Sequence, residues 1–153
     1  MNLCMIGTGY VGLVSGTCFS DLGNTVFCVD NNKDKIKKLN SGLSTIYEPG
    51  LDELIKKNKN SGRLKFTTDL SYAVKKSEII FICVGTPTKT STNSVDLSFV
   101  YNAVKAILKI SNKNKIIITK STVPVGTGDE IEKILIKNKS KNFTVVSNPE
   151  FLR

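Results

Sequence analysis

The chain has 153 residues, enough for one domain with its own core, and 40% hydrophobic with 23% charged residues excludes global disorder. The formal charge of +9 would suit an anionic small molecule, nucleic acid or an acidic surface, but the lysines are scattered over helix faces and loops. That pattern, without a basic stripe interleaved with aromatics, reads as a solvated surface and not as a nucleic-acid platform.

Leu3 to Ile6 is a short apolar run ending at glycine, as a buried strand would be. Val11 to Leu22 carries small and apolar residues at helical spacing and stops at Gly23-Asn24. Thr25 to Val29 is a β-branched strand ending at Asp30, and Asp34 to Leu39 reads as a short helix ending near Gly42. Glu48-Pro49-Gly50 is a turn before a helix from Leu51 to Lys57. Leu64 to Thr67 is a weak strand, and Asp69 is placed to cap a helix through Lys75. Ile79 to Val84 is the most apolar run, closed by Gly85-Thr86-Pro87, and residues 88–94 form a polar loop. Leu97 to Ile110 has helical spacing, Ile116 to Thr119 is a strand, Val123 to Gly126 a loop and Glu130 to Ile136 a helix. Phe143 to Val146 is a sixth strand, ended by Ser147-Asn148-Pro149.

Six strands alternate with helices, and most are apolar without period-two alternation, which marks strands buried on both faces. The expected fold is α/β, a Rossmann-type doubly wound, mainly parallel six-stranded sheet with helices on both faces. No repeat or linker interrupts it, so residues 1–153 are expected to form one domain. No apolar run approaches the ~20 residues that cross a bilayer. The apolar start, Met1 to Ile6, is too short and lacks the basic flank of a secretory leader, so a cytoplasmic protein without membrane partners is expected.

The four cysteines, Cys4, Cys18, Cys28 and Cys83, form no C-x-x-C pair, and there is no histidine. A metal site is therefore not expected, and the thiols read as buried structural hydrophobes.

Gly7-Thr8-Gly9-Tyr10-Val11-Gly12 follows a strand, opens a helix and leads to an acid at the end of the next strand. In that setting Gly7 permits the tight turn, Gly9 admits a pyrophosphate against the backbone, and Gly12 lets the helix pack closely on the sheet. Helix N–H groups and their partial positive charge face the phosphates. Asp30, 18 residues after Gly12, has the spacing of the carboxylate that accepts from the adenosine ribose hydroxyls and repels a 2′-phosphate. NAD is thus expected over NADP, although nearby Lys35 is a cation that a phosphate would also attract. Two loops, Gly85-Thr86-Pro87-Thr88 and Lys120-Ser121-Thr122-Val123-Pro124, follow strands at their carboxyl ends, where ligands of open α/β sheets bind. Glu150 would lie on the same rim.

Taken in order, GTGYVGLVSG at 7–16, VD at 29–30, YEPGLDEL at 47–54, GRLKFTTD at 62–69, FICVGTPT at 81–88, KSTVPVGT at 120–127 and NPEFLR at 148–153 resemble the UDP-glucose/GDP-mannose dehydrogenase family over essentially the whole chain. STVPVGT is more similar to the UDP-glucose members. The resemblance implies an enzyme that oxidises the C6 alcohol of UDP-glucose to the carboxylate of UDP-glucuronate, a step of polysaccharide biosynthesis, with two NAD reduced. In that chemistry a cysteine holds the aldehyde as a thiohemiacetal, and a thioester follows and is hydrolysed.

Carried onto matching positions, Gly7, Gly9, Tyr10, Val11 and Gly12 would hold the pyrophosphate, and Asp30 and Lys35 would face the ribose. Gly85, Thr86, Pro87, Thr88, Ser121 and Thr122 would border the cofactor towards the nicotinamide. Thr122 would also help position a catalytic water. Glu150 would act in catalysis and, with Phe151, Leu152 and Arg153, begin the substrate-binding strip. The family's further glutamate, lysine, asparagine and nucleophilic cysteine, and its central and UDP-binding domains, have no counterpart in these residues. None of the four cysteines matches the nucleophile's motif. This chain is therefore expected to be the NAD-binding part, inactive alone, of an enzyme that is a homo-oligomer at full length. A free-standing NAD-binding module, or a dehydrogenase of GDP-mannose or UDP-N-acetyl-mannosamine, is the alternative.

Overall fold

The computed structural model describes residues 1–89, 94–140 and 142–150. Among them, strands and helices follow the order β1 (Asn2–Ile6), α1 (Tyr10–Asp21), β2 (Thr25–Val29), α2 (Lys33–Asn40), α3 (Leu51–Asn60), β3 (Leu64–Thr67), α4 (Leu70–Lys76), β4 (Ile79–Ile82), α5 (Ser98–Ile110), β5 (Lys115–Thr119), α6 (Thr127–Lys137) and β6 (Phe143–Ser147). The strands form one sheet in the order β3-β2-β1-β4-β5-β6, and every pairing is parallel. The doubly wound fold expected from the apolar runs is the fold observed.

The pleat sorts each strand's side chains between two cores. On β1, Leu3 and Met5 join Leu13, Ile36, Leu39, Leu51 and Ile55 from α1, α2 and α3. Cys4 and Ile6 join Val74, Val100, Val104, Ile107 and Ile131 from α4, α5 and α6. Each fully buried Leu or Ile contributes roughly 1.5–3 kcal/mol, so both faces help hold the sheet. Small residues seat α1 close against the sheet. A Cβ on Gly16 would lie 2.7 Å from Cys28 Sγ and 3.0 Å from Met5 Cγ.

Side chains cap two of the helix starts. Asn32 Oδ1 accepts from the Lys35 N–H at 2.9 Å to cap α2, and Asp69 Oδ1 accepts from the Tyr72 N–H at 2.8 Å to cap α4. Helix α6 begins three residues earlier than its apolar spacing indicates, because Gly126 adopts φ 87° and turns the chain into it. At its other end Lys139 has φ 53°, and the N–H groups of Lys139 and Ser140 close on the carbonyls of Ile136 and Leu135. This is a Schellman ending built on a lysine.

Two expectations need correction. Cys4, Cys28 and Cys83 are buried, but Cys18 is exposed. Its position on α1 falls between the buried ones, Gly12, Leu13, Gly16, Thr17 and Ser20, so the helical period turns it outward. Lys115 departs from a solvated lysine surface, being 6% exposed with its Nζ donating to the Ser77 carbonyl. Burial, with some repulsion from Lys113, lowers its pKa. No helix among the described residues is long and apolar enough to cross a membrane.

Candidate functional site

Strand order reverses between β1 and β4. The chain leaves β1 for α1 on one face and leaves β4 for α5 on the other, so the two loops part above the strand ends. Between them lies a crevice of about 820 Å³, lined by Ile6, Gly7, Gly9, Val29, Asp30, Asn31, Lys35, Thr68, Leu70, Cys83, Val84, Gly85, Thr86, Pro87 and Phe99.

The glycine loop forms its floor. Gly7 has φ 101°, and a Cβ there would stand 2.6 Å from the Cys83 carbonyl oxygen. Its N–H donates to the Val29 carbonyl at 2.8 Å, tying the turn to β2. A Cβ on Gly12 would lie 2.0 Å from the Gly7 oxygen, whereas one on Gly9 would meet nothing within 4 Å. Thus Gly7 and Gly12 close the turn against the sheet, and Gly9 leaves open space in front of the α1 N-terminus. That helix begins without a side-chain cap or an acidic residue in its first turn. Its first N–H groups and the positive end of its dipole are left for an anion.

Asp30 stands where β2 ends. Its Oδ2 accepts from the Thr8 N–H at 3.0 Å, from the Thr8 hydroxyl at 2.7 Å and from Lys35 Nζ at 3.4 Å. Its Oδ1 accepts from the Asn32 N–H at 3.0 Å. Burial pushes the carboxyl pKa up, but the hydrogen bonds from Asn32 and Thr8, with the Lys35 charge, outweigh it and hold the pKa below its ordinary value.

The opposite wall is tied to the far half of the sheet. The N–H groups of Lys120 and Ser121 both donate to the Ile82 carbonyl, at 2.9 and 3.0 Å, and the Ser121 hydroxyl donates to the Val84 carbonyl at 2.7 Å. Thr86 Oγ1 donates to the Thr122 carbonyl at 3.0 Å, and Thr122 Oγ1 donates to the Glu150 carbonyl at 2.6 Å. The Glu150 N–H returns to the Lys120 carbonyl at 3.2 Å, and its carboxylate pairs with Lys120 Nζ.

The residues singled out from sequence therefore divide. Gly7, Gly9, Asp30, Lys35, Gly85, Thr86 and Pro87 line the crevice. Gly12 lies beneath the turn and Val11 packs on the core. The Tyr10 ring extends to donate its hydroxyl to the Glu48 carboxylate, a bond that raises the Tyr10 pKa. Thr88 pairs with Val95 in an isolated bridge, and Ser121 faces inward. Thr122 and Glu150 sit together beyond Thr86. Phe151, Leu152 and Arg153 lie outside the described residues.

Three contributors fall outside the residues that the motifs mark. Thr8 occupies a free position of the glycine motif, and only its residue type hints at a bond. Lys120 stands in a loop of the sequence pattern, where its only signal is a lysine placed directly after a strand on the rim. Cys83 lines the crevice but is no thiolate: burial, with Glu150 nearby, outweighs Lys120 and pushes its pKa to about 12. Among the described residues no group of acids and cysteines is arranged to hold a metal ion.

A glycine turn under a helix N-terminus, a carboxylate at the end of β2 and a crevice at the strand-order reversal define a dinucleotide-binding domain of the dehydrogenase type. Residues 1–153 match the UDP-glucose/GDP-mannose dehydrogenase family, NAD binding domain. The chain belongs to that family, as its NAD-binding domain.

It is 53% identical to a UDP-glucose 6-dehydrogenase of Rhizobium meliloti over 154 residues, covering 100% of this chain and 35% of the relative. A second, from Bacillus subtilis, is 51% identical over 154 residues, covering 99% of this chain and 33% of the relative. The chain thus spans about a third of the length of these relatives. Among solved structures, GDP-mannose dehydrogenase from Pseudomonas aeruginosa superposes with a TM-score of 0.92 at 37% identity, over 100% of this chain and 37% of that one. A UDP-glucose dehydrogenase from Pyrobaculum islandicum gives 0.89 at 36% identity, over 99% of this chain and 36% of that one. The cofactor of this domain is NAD, and the open space at Gly9, the uncapped α1 and the fixed Asp30 fit it.

Proposed function

We propose that the chain holds NAD for the oxidation of UDP-glucose to UDP-glucuronate by a longer protein of which it is the cofactor-binding part. Two relatives named for UDP-glucose oxidation share more than half of their aligned residues with it. The observation that supports the reading is the run of hydrogen bonds from Thr86, which lines the crevice, to the Thr122 carbonyl and from Thr122 to the Glu150 carbonyl.

In this reading the N–H groups at the start of α1, with Gly7 and Gly9 below them, hold the pyrophosphate. Asp30 and Lys35 take the adenosine ribose, and the strip from Gly85 to Thr88 borders the nicotinamide end. NAD, when bound, accepts the hydrides removed from the sugar. Ser121 holds the Val84 carbonyl and so fixes the wall on which Thr86 stands. Thr122 and Glu150 orient water and substrate, with Lys120 keeping the Glu150 carboxylate in place, and the substrate strip continues through Phe151, Leu152 and Arg153.

The thiol that captures the aldehyde is not among the cysteines present. Burial raises the pKa of Cys4, Cys28 and Cys83, and Cys18 sits on α1 outside the crevice lining. Assembly as a homo-oligomer belongs to the same reading of the whole protein.

Calorimetric titration with NAD and NADP, followed by absorbance at the NADH band after adding UDP-glucose, tests the proposal. Saturable NAD binding, NADP at least roughly tenfold weaker (about 1.4 kcal/mol) and no NADH from this chain are expected. Equal affinity for the two cofactors, or no NAD binding, would refute the cofactor site. NADH formation would refute the reading that this chain needs the rest of the protein to oxidise the sugar.

A further inference from the structure

Thr8 is fully buried, and its hydroxyl is spent on one partner, the Asp30 carboxylate, which also receives the Thr8 N–H. We propose that Thr8 is a positioning residue whose hydroxyl fixes the rotation of the Asp30 carboxylate and thereby sets the preference for NAD over NADP. The inference rests on the reading of Asp30 as the ribose-binding carboxylate.

An ionised carboxylate has about four lone-pair sites, two on each oxygen. Oδ2 already accepts from the Thr8 N–H, the Thr8 hydroxyl and Lys35 Nζ, and is saturated. Oδ1 accepts only from the Asn32 N–H. Oδ1 is therefore the oxygen with capacity left for a ribose hydroxyl. The two bonds from Thr8, 3.0 and 2.7 Å long, come from one residue whose backbone is part of the glycine turn. They register the carboxylate against the loop that carries the pyrophosphate site. A 2′-phosphate would meet a negative oxygen that cannot swing away.

Without the hydroxyl, a single N–H and a lysine 3.4 Å away remain on Oδ2. The carboxylate can then rotate about its last torsion, and Lys35 is freer to pair with a phosphate. Discrimination would fall through both changes, a weaker grip on the ribose hydroxyls and a weaker rejection of the phosphate. A hydrogen bond to a charged group is among the stronger ones, so the effect is measurable.

The test compares the wild-type chain with Thr8→Val and Thr8→Ser. Titration with NAD and with NADP gives the affinity ratio, and carbon-detected NMR of the cofactor-free chain gives the titration of the Asp30 carboxyl. Thr8→Val is expected to bind NAD roughly tenfold more weakly, with NADP unchanged or tighter, so that the ratio falls by about tenfold or more. The Asp30 carboxyl should titrate at higher pH in Thr8→Val, and Thr8→Ser should restore both readouts. A purely structural role would weaken both cofactors together and leave the ratio alone. An unchanged ratio in a folded Thr8→Val overturns the proposal, as does failure of Thr8→Ser to restore it. Absence of NAD binding by the wild-type chain would overturn the cofactor reading and the selectivity claim together. The carboxyl titration needs no cofactor and would still show whether Thr8 governs Asp30, so the two failures are distinguishable.

Discussion

Adding one methyl group at Gly12 and at Gly9 should separate packing from binding within a single motif. At Gly12 the new carbon would stand 2.0 Å from the Gly7 oxygen and 3.0 Å from Cys83 Cβ. Carbon contacts are comfortable near ~3.5–4.0 Å, so α1 or the turn must retreat by more than ~1 Å. The turn is held by the Gly7 N–H on the Val29 carbonyl and the Cys83 N–H on the Ile6 carbonyl, both at 2.8 Å, and cannot yield alone. Overpacking of this kind costs typically 1–3 kcal/mol, and a backbone obstacle puts Gly12→Ala near the upper end, about 3 kcal/mol. For a domain of this size that is a fall in Tm of roughly 6–12 °C.

Gly9→Ala meets nothing within 4 Å, and its φ of −71° suits alanine. Its Tm should stay level or rise slightly, because the unfolded chain loses freedom, an effect of about 0.4–1 kcal/mol. The methyl would instead occupy the space in which the pyrophosphate is proposed to lie. Saturating NAD at ~100 Kd adds about 2.7 kcal/mol to the wild-type chain, and Gly9→Ala should lose that gain. Thermal melts with and without NAD measure both effects. A Gly12→Ala that melts like the wild type, or a Gly9→Ala with the full NAD shift, would refute the division of labour.

Three further outcomes are expected. The Asp30 carboxyl pKa is held down in the fold, so it stabilises above the unfolded value of about 3.9 and that contribution is lost as pH falls through the folded value. The stability difference between the wild type and Asp30→Asn, followed by urea titration, should be flat from pH 7 to ~5 and shrink below ~4. Ellman's reagent should modify Cys18 alone in the native chain at pH 8, with Cys4, Cys28 and Cys83 reacting only after unfolding, and mass mapping of the labelled peptide checks this. Lys139→Gly relieves the positive φ that closes α6 and should raise stability by roughly 0.5–1 kcal/mol in a denaturant melt.

The fold was legible because doubly buried parallel strands leave an unmistakable record: Ile79 to Ile82 and Thr25 to Val29 carry no polar face to mislead. Helix ends were less legible where a backbone angle decides them, as at Gly126, since a glycine's φ is not written in its neighbours. The crevice's glycines and Asp30 were readable from spacing alone, because each has a steric or electrostatic duty at a fixed distance along the chain. Thr8, Lys120 and Cys83 were not. Their positions in the site depend on which elements the sheet brings together, Thr8 against Asp30 across 22 residues and Lys120 against Glu150 across 30. The exposure of Cys18 is legible in its helical phase, which falls off the buried stripe of α1, whereas the general burial preference of free cysteine points the other way.

The threonines of the ligand rim have a directional consequence. Thr86 gives its proton to the Thr122 carbonyl, and Thr122 gives its own to the Glu150 carbonyl. A hydroxyl that has surrendered its proton to the backbone turns only lone pairs outward. Along this stretch the side-chain hydroxyls are listeners: they welcome a water or a sugar hydroxyl that arrives as a donor and offer nothing to a bare anion. Polarity on the rim then changes hand along its length, from N–H donors at the start of α1 to oxygen acceptors near Glu150. On the proposed reading of the site, that order favours a ligand lying with its anionic group at α1 and its hydroxyls towards Thr86 and Thr122.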